Sequence, residues 1–476
     1  MRTPNYKQEL QELREINKAQ AVRIQELEAE VGQLKALLNT KAEAKAAKKP
    51  KFTENYSFSK NKQKKKRRKP STGRRSRQNK TALIDDNKQV FPEEVAQEDC
   101  VEHRTQCAWR IVDGKAQYMC YHIFALPNAQ ELPIPPGLRT SRSEFGIEII
   151  LILAFLHYWI GISLDNARQV IHFFTNLELS KSQADSLLSQ LANDWNEQYD
   201  TIAELIALQM IVYIDETGWK VGKRSCYTWA FSTAMHVLFR CGVGRGKDEA
   251  EAVIGNAFPG IGVTDDYKAY MHLFSEHQLC WAHLIRKAIK LALQHPEEKT
   301  YASFLDELCN IYQQGVIYQR DGRLTVGREN KVQELQERIR ALCTLHGEPI
   351  VEGVTSDSMA TFIRLQNELC SNLDCLFVFV QHPEVEPTNN RSERNVRREA
   401  EIRKGGRTSK TPSGARRRSI IMTVLASLQT RFTLFTLGTL LDEVKRWMQQ
   451  GRSTFQTELD ELRKVQGTGS LDPEVG

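Results

Sequence analysis

At Met210 the hydrophobic period of this 476-residue chain changes, and that change constrains the fold more than any other feature. From Phe145 to about Leu208 the apolar residues recur with helical spacing. Met210-Ile211-Val212-Tyr213-Ile214 is instead an unbroken apolar run that ends in Asp215-Glu216-Thr217-Gly218-Trp219, the pattern of a buried strand. Two β-rich runs follow, Tyr227 to Thr233 and His236 to Gly242, close enough to be joined as a hairpin. A helical stretch, Asp248 to Phe258, leads into Gly260-Ile261-Gly262-Val263-Thr264-Asp265-Asp266-Tyr267. The pattern predicts an α/β domain in which the first and fourth strands are neighbours and each ends in an acid.

Strand-strand-strand-helix-strand is the front half of a ribonuclease-H-like fold, here assigned to residues 209–430. Two carboxylates at adjacent strand ends make a hard-oxygen pocket suited to Mg²⁺ or Mn²⁺. A third acid is expected from Pro387-Thr388-Asn389-Asn390-Arg391-Ser392-Glu393-Arg394-Asn395-Val396-Arg397-Arg398. Asn389 or Asn390 would cap that helix and put Glu393 in an early turn, facing the sheet edge. Three converging carboxylates suit two metal ions ~3.5–4 Å apart at a phosphodiester. Each acid also has a plainer reading. Asp215 fits a strand-end turn, and Glu216 a solvated acid or secondary ligand. Glu393 fits a surface pair with Arg397, worth only ~0.2–0.5 kcal/mol. The ordered set of strand Asp, strand Asp and helix Glu favours catalysis. Between Asp265 and Glu393 lie 127 residues, helical at Phe304 to Tyr312 and Glu329 to Leu345. They are too long for a loop and predict an all-α insertion at about 290–380.

The net charge of +7 hides a segregation. Residues 41–80 carry 17 Lys/Arg against Glu43 and Glu54, and Arg391 to Arg418 carry 11 against three Glu. The first block, with Lys64, Lys65, Lys66, Arg67, Arg68, Arg74 and Arg75, cannot build a core. It predicts a basic arm (41–94) that is disordered unless bound and grips phosphates. The second places Arg391, Arg394, Arg397, Arg398, Arg403 and Lys404 around Glu393, ready for phosphates beside a scissile bond. Before the arm, residues 1–40 read as a coiled coil with Leu10, Asn17, Ile24, Val31 and Leu38 at a, and Leu13, Gln20, Leu27 and Leu34 at d. Seven of these nine seam positions are apolar, and the buried Asn17 favours a two-stranded homo-oligomer.

Cys100, His103, Cys107 and Cys120, with His122, mark a small module at 95–135. They are the right types for tetrahedral Zn²⁺, but paired CxxC knuckles are absent, so a metal-free β module is the competing reading. Residues 136–208 are expected to be helical, with a candidate DNA-binding helix-turn-helix. There Leu177 to Leu191 reads as two short helices with Ser180 and Ser182 as N-caps. Residues 431–476 read as a C-terminal helix and tail. Ten cysteines without a secretory leader predict a reducing cytoplasm. The apolar stretch Ile149 to Ile162 is shorter than the ~20 residues of a membrane span and reads as a core helix.

Asp-Glu-Thr-Gly-Trp at 215–219, Val-Thr-Asp-Asp-Tyr-Lys-Ala-Tyr at 263–270, Gln-Leu-Cys-Trp-Ala-His-Leu-Ile-Arg-Lys at 278–287 and Asn-Asn-Arg-Ser-Glu-Arg-Asn-Val-Arg at 389–397 resemble the motifs of insertion-sequence-66-type DDE transposases. The resemblance runs from about Arg139 to Thr430. It implies that Asp215, Asp265 and Glu393 are the catalytic, Mg²⁺-binding triad, and that transposon ends are cut and joined to target DNA. It also implies a bacterial, nucleoid-associated protein, with element-encoded helper proteins as candidate partners. Cys280 and His283 form a C-x2-H element that either supports the active site or packs a structural helix. Two positions depart from the family pattern. Thr388 stands where Asp is usual, and Asp266 where Gly is usual, which leaves the ligand role open between Asp265 and Asp266. The competing functions are a catalytically inactive DNA-binding or assembly protein and a stand-alone nuclease of the same fold.

Overall fold

The computed structural model describes residues 84–468 except 94, 323 and 345–355. The expected coiled coil and the arm lysines and arginines from Lys64 to Arg75 lie outside the described residues.

The first described element corrects the arm boundary. β1 (Asp86–Val90) falls within the range expected to be disordered, yet it pairs in parallel with β3 (Lys115–Ala125). Its backbone carries the pairing, because only Val90 of the five is buried, so no apolar pattern announced it. β2 (Val101–Val112) closes the sheet in the order β1-β3-β2. The β2–β3 turn is Asp113-Gly114, both at positive φ (49° and 75°), the backbone of a tight hairpin turn that matches strand twist.

Helices α1 (Ile147–Ala154), α2 (Leu164–Thr175), α3 (Lys181–Asp194) and α4 (Asn196–Ala207) follow. The apolar stretch at 149–162 is α1, prolonged by a π turn at Phe155–Trp159, and it is largely buried. The two short helices expected around Ser180 are one. Ser180 and Gln183 form a capping box that starts α3. Ser182 lies inside the first turn and caps nothing, while Leu177 and Leu179 are buried in the preceding loop.

The main sheet has the order β6-β5-β4-β7-β8. It comprises β4 (Ile211–Val221), β5 (Arg224–Ser232), β6 (Val237–Val243), β7 (Phe258–Thr264) and β8 (Phe274–Leu279). β4 lies antiparallel to β5 and parallel to β7, and β8 is parallel to β7. α5 (Lys247–Ile254) stops at Gly255, whose φ of 82° breaks the helix. The helix is therefore shorter than expected, and Phe258 opens β7 instead. β4 is longer than expected and does not end at Asp215. Its parallel ladder with β7 covers only Ile211 to Tyr213, while its antiparallel ladder with β5 continues to Val221.

β4 separates two hydrophobic cores by simple alternation. Val212 and Ile214 join the cluster of α1–α4, β5 and β6, whereas Tyr213 joins that of β7, β8 and the later helices. Side chains on a strand alternate between faces. The second core is built by α6 (Trp281–Gln294), α7 (Lys299–Arg320), α8 (Thr325–Thr344), α9 (Asp357–Ser371) and α10 (Val378–Gln381). α11 (Asn390–Lys404), α12 (Pro412–Arg431), α13 (Leu437–Gln450) and α14 (Thr454–Thr468) complete the chain. Leu440, Val444, Trp447, Phe455 and Leu459 of the last two helices share the first core with α1–α4. The sequence boundaries at 208 and 430 thus fall within one packed body. No helix among the described residues is long and apolar enough to cross a membrane.

α12 seals the β6 edge. Ser419, Thr423 and Ser427 accept the backbone N–H groups of Cys241, Phe239 and Val237 at 2.9, 2.9 and 3.0 Å. Four helical residues rise ~6 Å and two strand residues ~6.6–6.8 Å, so the two spacings match closely enough for three successive bonds.

Candidate active site

Three parallel strands, β4, β7 and β8, deliver their polar groups to one edge of the sheet. Tyr213 pairs with Val263, so two residues further on Asp215 comes beside Asp265. Thr264 pairs with Leu279, and Cys280 N–H then donates to Thr264 O at 2.8 Å. Crevices at the carboxyl ends of parallel strands are where open α/β sheets bind their ligands.

The start of α11 is stitched across that edge. Trp281 N–H donates to Pro387 O at 3.1 Å. Asn389 N–H donates to Cys280 Sγ at 3.1 Å, and Asn389 Nδ2 to Ile214 O at 2.7 Å. The expected side-chain cap by Asn389 is not made. Its amide instead holds the residue before Asp215, and its Oδ1 is buried without a hydrogen-bond partner. Glu393 lies in the first turn, as expected. Its partner is not Arg397 but Arg286, whose Nη2 reaches both carboxylate oxygens at 3.0 and 3.1 Å.

Charge accumulates here in little water. Burial, reinforced by Glu216, Asp265 and Glu393, holds the Asp215 carboxyl far above the ordinary carboxylate range. Burial raises Asp265 as well, against the pull of the Tyr267 N–H that it accepts at 3.1 Å. Glu216 is neither solvated nor turned toward Asp215. Its side chain, 3% exposed, points to the other face of β4, where Arg245 and the Tyr270 hydroxyl hold it. Asp265 and Glu393 thus both lie within electrostatic reach of Asp215. Glu393, however, is turned toward Cys280 and His283, with which it forms the only group of three metal-compatible side chains among the described residues. The Asp265/Asp266 ambiguity has a geometric counterpart. Asp266 is tied to Lys287 at 2.7 Å, and Lys287 also holds Glu368 of α9. That link fastens the helical insertion to the site and pulls Asp266 below the ordinary carboxylate range despite its partial burial.

Arg286, Lys287, Glu368 and Tyr270 were not singled out from sequence, and Asn389 was singled out only as a helix cap. The first two were legible, since Cys280, His283 and Arg286–Lys287 recur at helical spacing along one face of α6. Glu368 was not, because its role depends on how the insertion folds back.

The basic stretch after Glu393 divides in two. Arg391 donates to Glu386 and to Thr233 O, Arg403 to Thr217 Oγ1 and Gly218 O, and the Arg398 guanidinium stacks 3.5 Å from the Trp159 ring centroid. These three serve the fold. Arg394, Arg397 and Lys404 are exposed.

The four candidate zinc residues do not surround one point. Cys107 and Cys120 face each other across β2 and β3, but at ~3.3 Å per strand residue Cys100 lies roughly 20 Å from Cys107. His103 bonds Leu126 O at 2.8 Å, and Cys100 Sγ bonds Ala96 O. The length of β2, twelve residues, pulls the set apart.

A family model described as the IS66 transposase family matches residues 142–417, from before α1 into α12. The chain belongs to the IS66 transposase family. The match takes in both aspartate-bearing strands, the α6 motif, the insertion and Glu393, and it ties this transposase to DNA transposition. No curated protein matches the chain in sequence.

Proposed function

We propose that this transposase cuts DNA at transposon ends and joins the exposed 3′-hydroxyl to target DNA through Asp215, Asp265 and Glu393 on a ribonuclease-H-like core. The carrying observation is the convergence of β4, β7, β8 and the start of α11 on one sheet edge. The donor set fits Mg²⁺ or Mn²⁺, since these are hard oxygen ligands and a dication would offset the burial that raises Asp215 and Asp265 and the acidic neighbours that add to it at Asp215. When bound, two such ions supply Lewis-acid activation of the attacking oxygen and stabilisation of the leaving oxygen. Asp215 and Asp265 are the ligands on the strands, because Asp266 is engaged by Lys287. Asn389 fixes the backbone that presents Asp215. Arg394, Arg397 and Lys404 contact flanking phosphates, together with the Lys64–Arg75 arm. The coiled coil at 1–40 pairs copies of the chain, which acts in the bacterial cytoplasm at the nucleoid.

Asp215→Asn, Asp265→Asn and Glu393→Gln test the reading. Each is expected to abolish Mg²⁺-dependent strand transfer on terminal-repeat DNA while leaving DNA binding intact. Joining by all three variants overturns it. Hydrolysis without joining by the wild type identifies a nuclease, and binding without cleavage identifies a decayed assembly protein.

A further inference from the structure

We propose that Cys280, His283 and Glu393 form a binding site for a soft divalent cation of the Zn²⁺ class, distinct in chemistry from the hard-oxygen pocket beside it. One ligand atom from each lies within 4.8 Å of the other two. The set combines a thiol, an imidazole and a carboxylate, the three side-chain types that zinc takes as ligands.

Two of the three separations are those of ligands arranged around a cation. Zinc bonds of roughly 2.3 Å to sulfur, 2.0–2.1 Å to nitrogen and 2.0–2.2 Å to oxygen, at tetrahedral angles, put S···O about 3.6 Å apart and N···O about 3.4 Å. Cys280 Sγ lies 3.7 Å from Glu393 Oε1, and His283 Nδ1 lies 3.4 Å from the same oxygen. The second separation is too long for a good N–H···O hydrogen bond. Accordingly, His283 Nδ1 is buried with no hydrogen-bond partner, though it is aimed at a carboxylate. A buried nitrogen left in that state calls for an explanation, and an ion is one.

The surroundings suit the bound form. Asn389 N–H donates to Cys280 Sγ at 3.1 Å, and the sulfur sits at the N-cap of the 14-residue α6. Both favour a thiolate, working against the burial that raises the Cys280 thiol. Cation binding would release the thiol proton to solvent, as ligation by cysteine requires. Arg286 Nη2, 3.0 and 3.1 Å from Glu393 Oε1 and Oε2, would keep Oε2 as the outer partner of the ligating carboxylate, the kind of support that orients metal ligands.

Zn²⁺ on Glu393 Oε1 would compete with the hard-oxygen pocket for this carboxylate, so Zn²⁺ is expected to lower strand transfer. That consequence rests on the proposed triad; the site itself does not. Titration of the full chain with Co²⁺, followed by displacement with Zn²⁺, tests the site without any activity measurement. The expected result is a thiolate-to-cobalt charge-transfer band and tetrahedral d–d absorption that Zn²⁺ removes. The band should be lost in Cys280→Ser and kept in Cys107→Ser. Absence of the band in the wild type overturns the proposal, as does its persistence in a folded Cys280→Ser variant. If Cys280→Ser does not fold, His283→Gln decides, because His283 is partly exposed. Its Co²⁺ affinity should fall by more than the ~10–100-fold that outer-partner changes cost, and an unchanged affinity overturns the site.

Discussion

Two glutamates on α11, six residues apart, each meet one arginine through both carboxylate oxygens, and they differ in almost everything else. Glu399 is fully buried, and Arg418 reaches its two oxygens with Nε and Nη2, both at 2.7 Å. The guanidinium lies 4.8 Å from the Trp219 ring centroid and is only 5% exposed. Glu393 is 11% exposed, and its arginine, Arg286, is 54% exposed. One helix therefore carries a carboxylate whose charge is fully spent inside the protein and another whose charge is held by a displaceable partner. Burial of the partner, more than of the acid, separates the structural carboxylate from the one proposed to take part in catalysis.

The contrast breaks if the two positions respond alike. Glu393→Gln should reduce strand transfer by about 10³-fold or more, as loss of a metal-binding carboxylate would, with little change in the thermal midpoint. Glu399→Gln should do the reverse in stability terms. It leaves a buried guanidinium uncompensated and costs about 3–5 kcal/mol in denaturant unfolding. Replacing both partners, as Glu399→Leu with Arg418→Met, should recover much of that loss.

Buried histidines add a case in which charge is excluded altogether. Burial pushes His277 down to about 4, and burial together with Arg431 pushes His236 down to about 3. Their folded pKa values lie below the unfolded value near 6.5, so between these limits the unfolded chain binds more protons. Their contribution to stability is complete above about pH 6.5 and is lost as pH falls, by up to ~1.4 kcal/mol per unit for each. Unfolding midpoints followed from about pH 7 to 5 should show this slope, and His277→Gln should flatten it. The smallest effect is expected at Arg286→Ala. An exposed ion pair is worth about 0.2–1 kcal/mol, so stability should barely move, in contrast to any change at Arg418.

Much of this was legible where the pattern is local. The period change at Met210, the hairpin that follows, and the placement of Asp265 just after a strand and of Glu393 in the first turn of a helix all follow from neighbouring residues, whereas Asp215 lies inside β4 and not at its end. What escaped depends on distant ones. β1 is a polar strand that exists because β3 offers it a ladder. β8, Phe274-Ser-Glu-His-Gln-Leu, carries a charge and no clean alternation, and it is held by β7 on one side and by buried Gln278, which bonds Phe379 N–H and Leu376 O on the other. Asn389 looked like a helix cap because caps are local, whereas its actual partner, Ile214 O, lies 175 residues away. The zinc reading of Cys100, His103, Cys107 and Cys120 failed for the opposite reason. Their sequence spacing is short, but an extended strand turns short spacing into distance.

The seal on β6 limits how copies of this transposase can assemble. A sheet with a bare outer strand can recruit a strand from another molecule, which is both a route to assembly and a route to aggregation. Here Ser419, Thr423 and Ser427 occupy the three N–H groups that such a strand would need. Growth of the sheet on that side is closed while α12 is docked, and any pairing of chains on DNA must be made through other surfaces. Three small hydroxyl residues four apart on a helix thereby act as a stop signal for the sheet, written one element away from the strand it terminates.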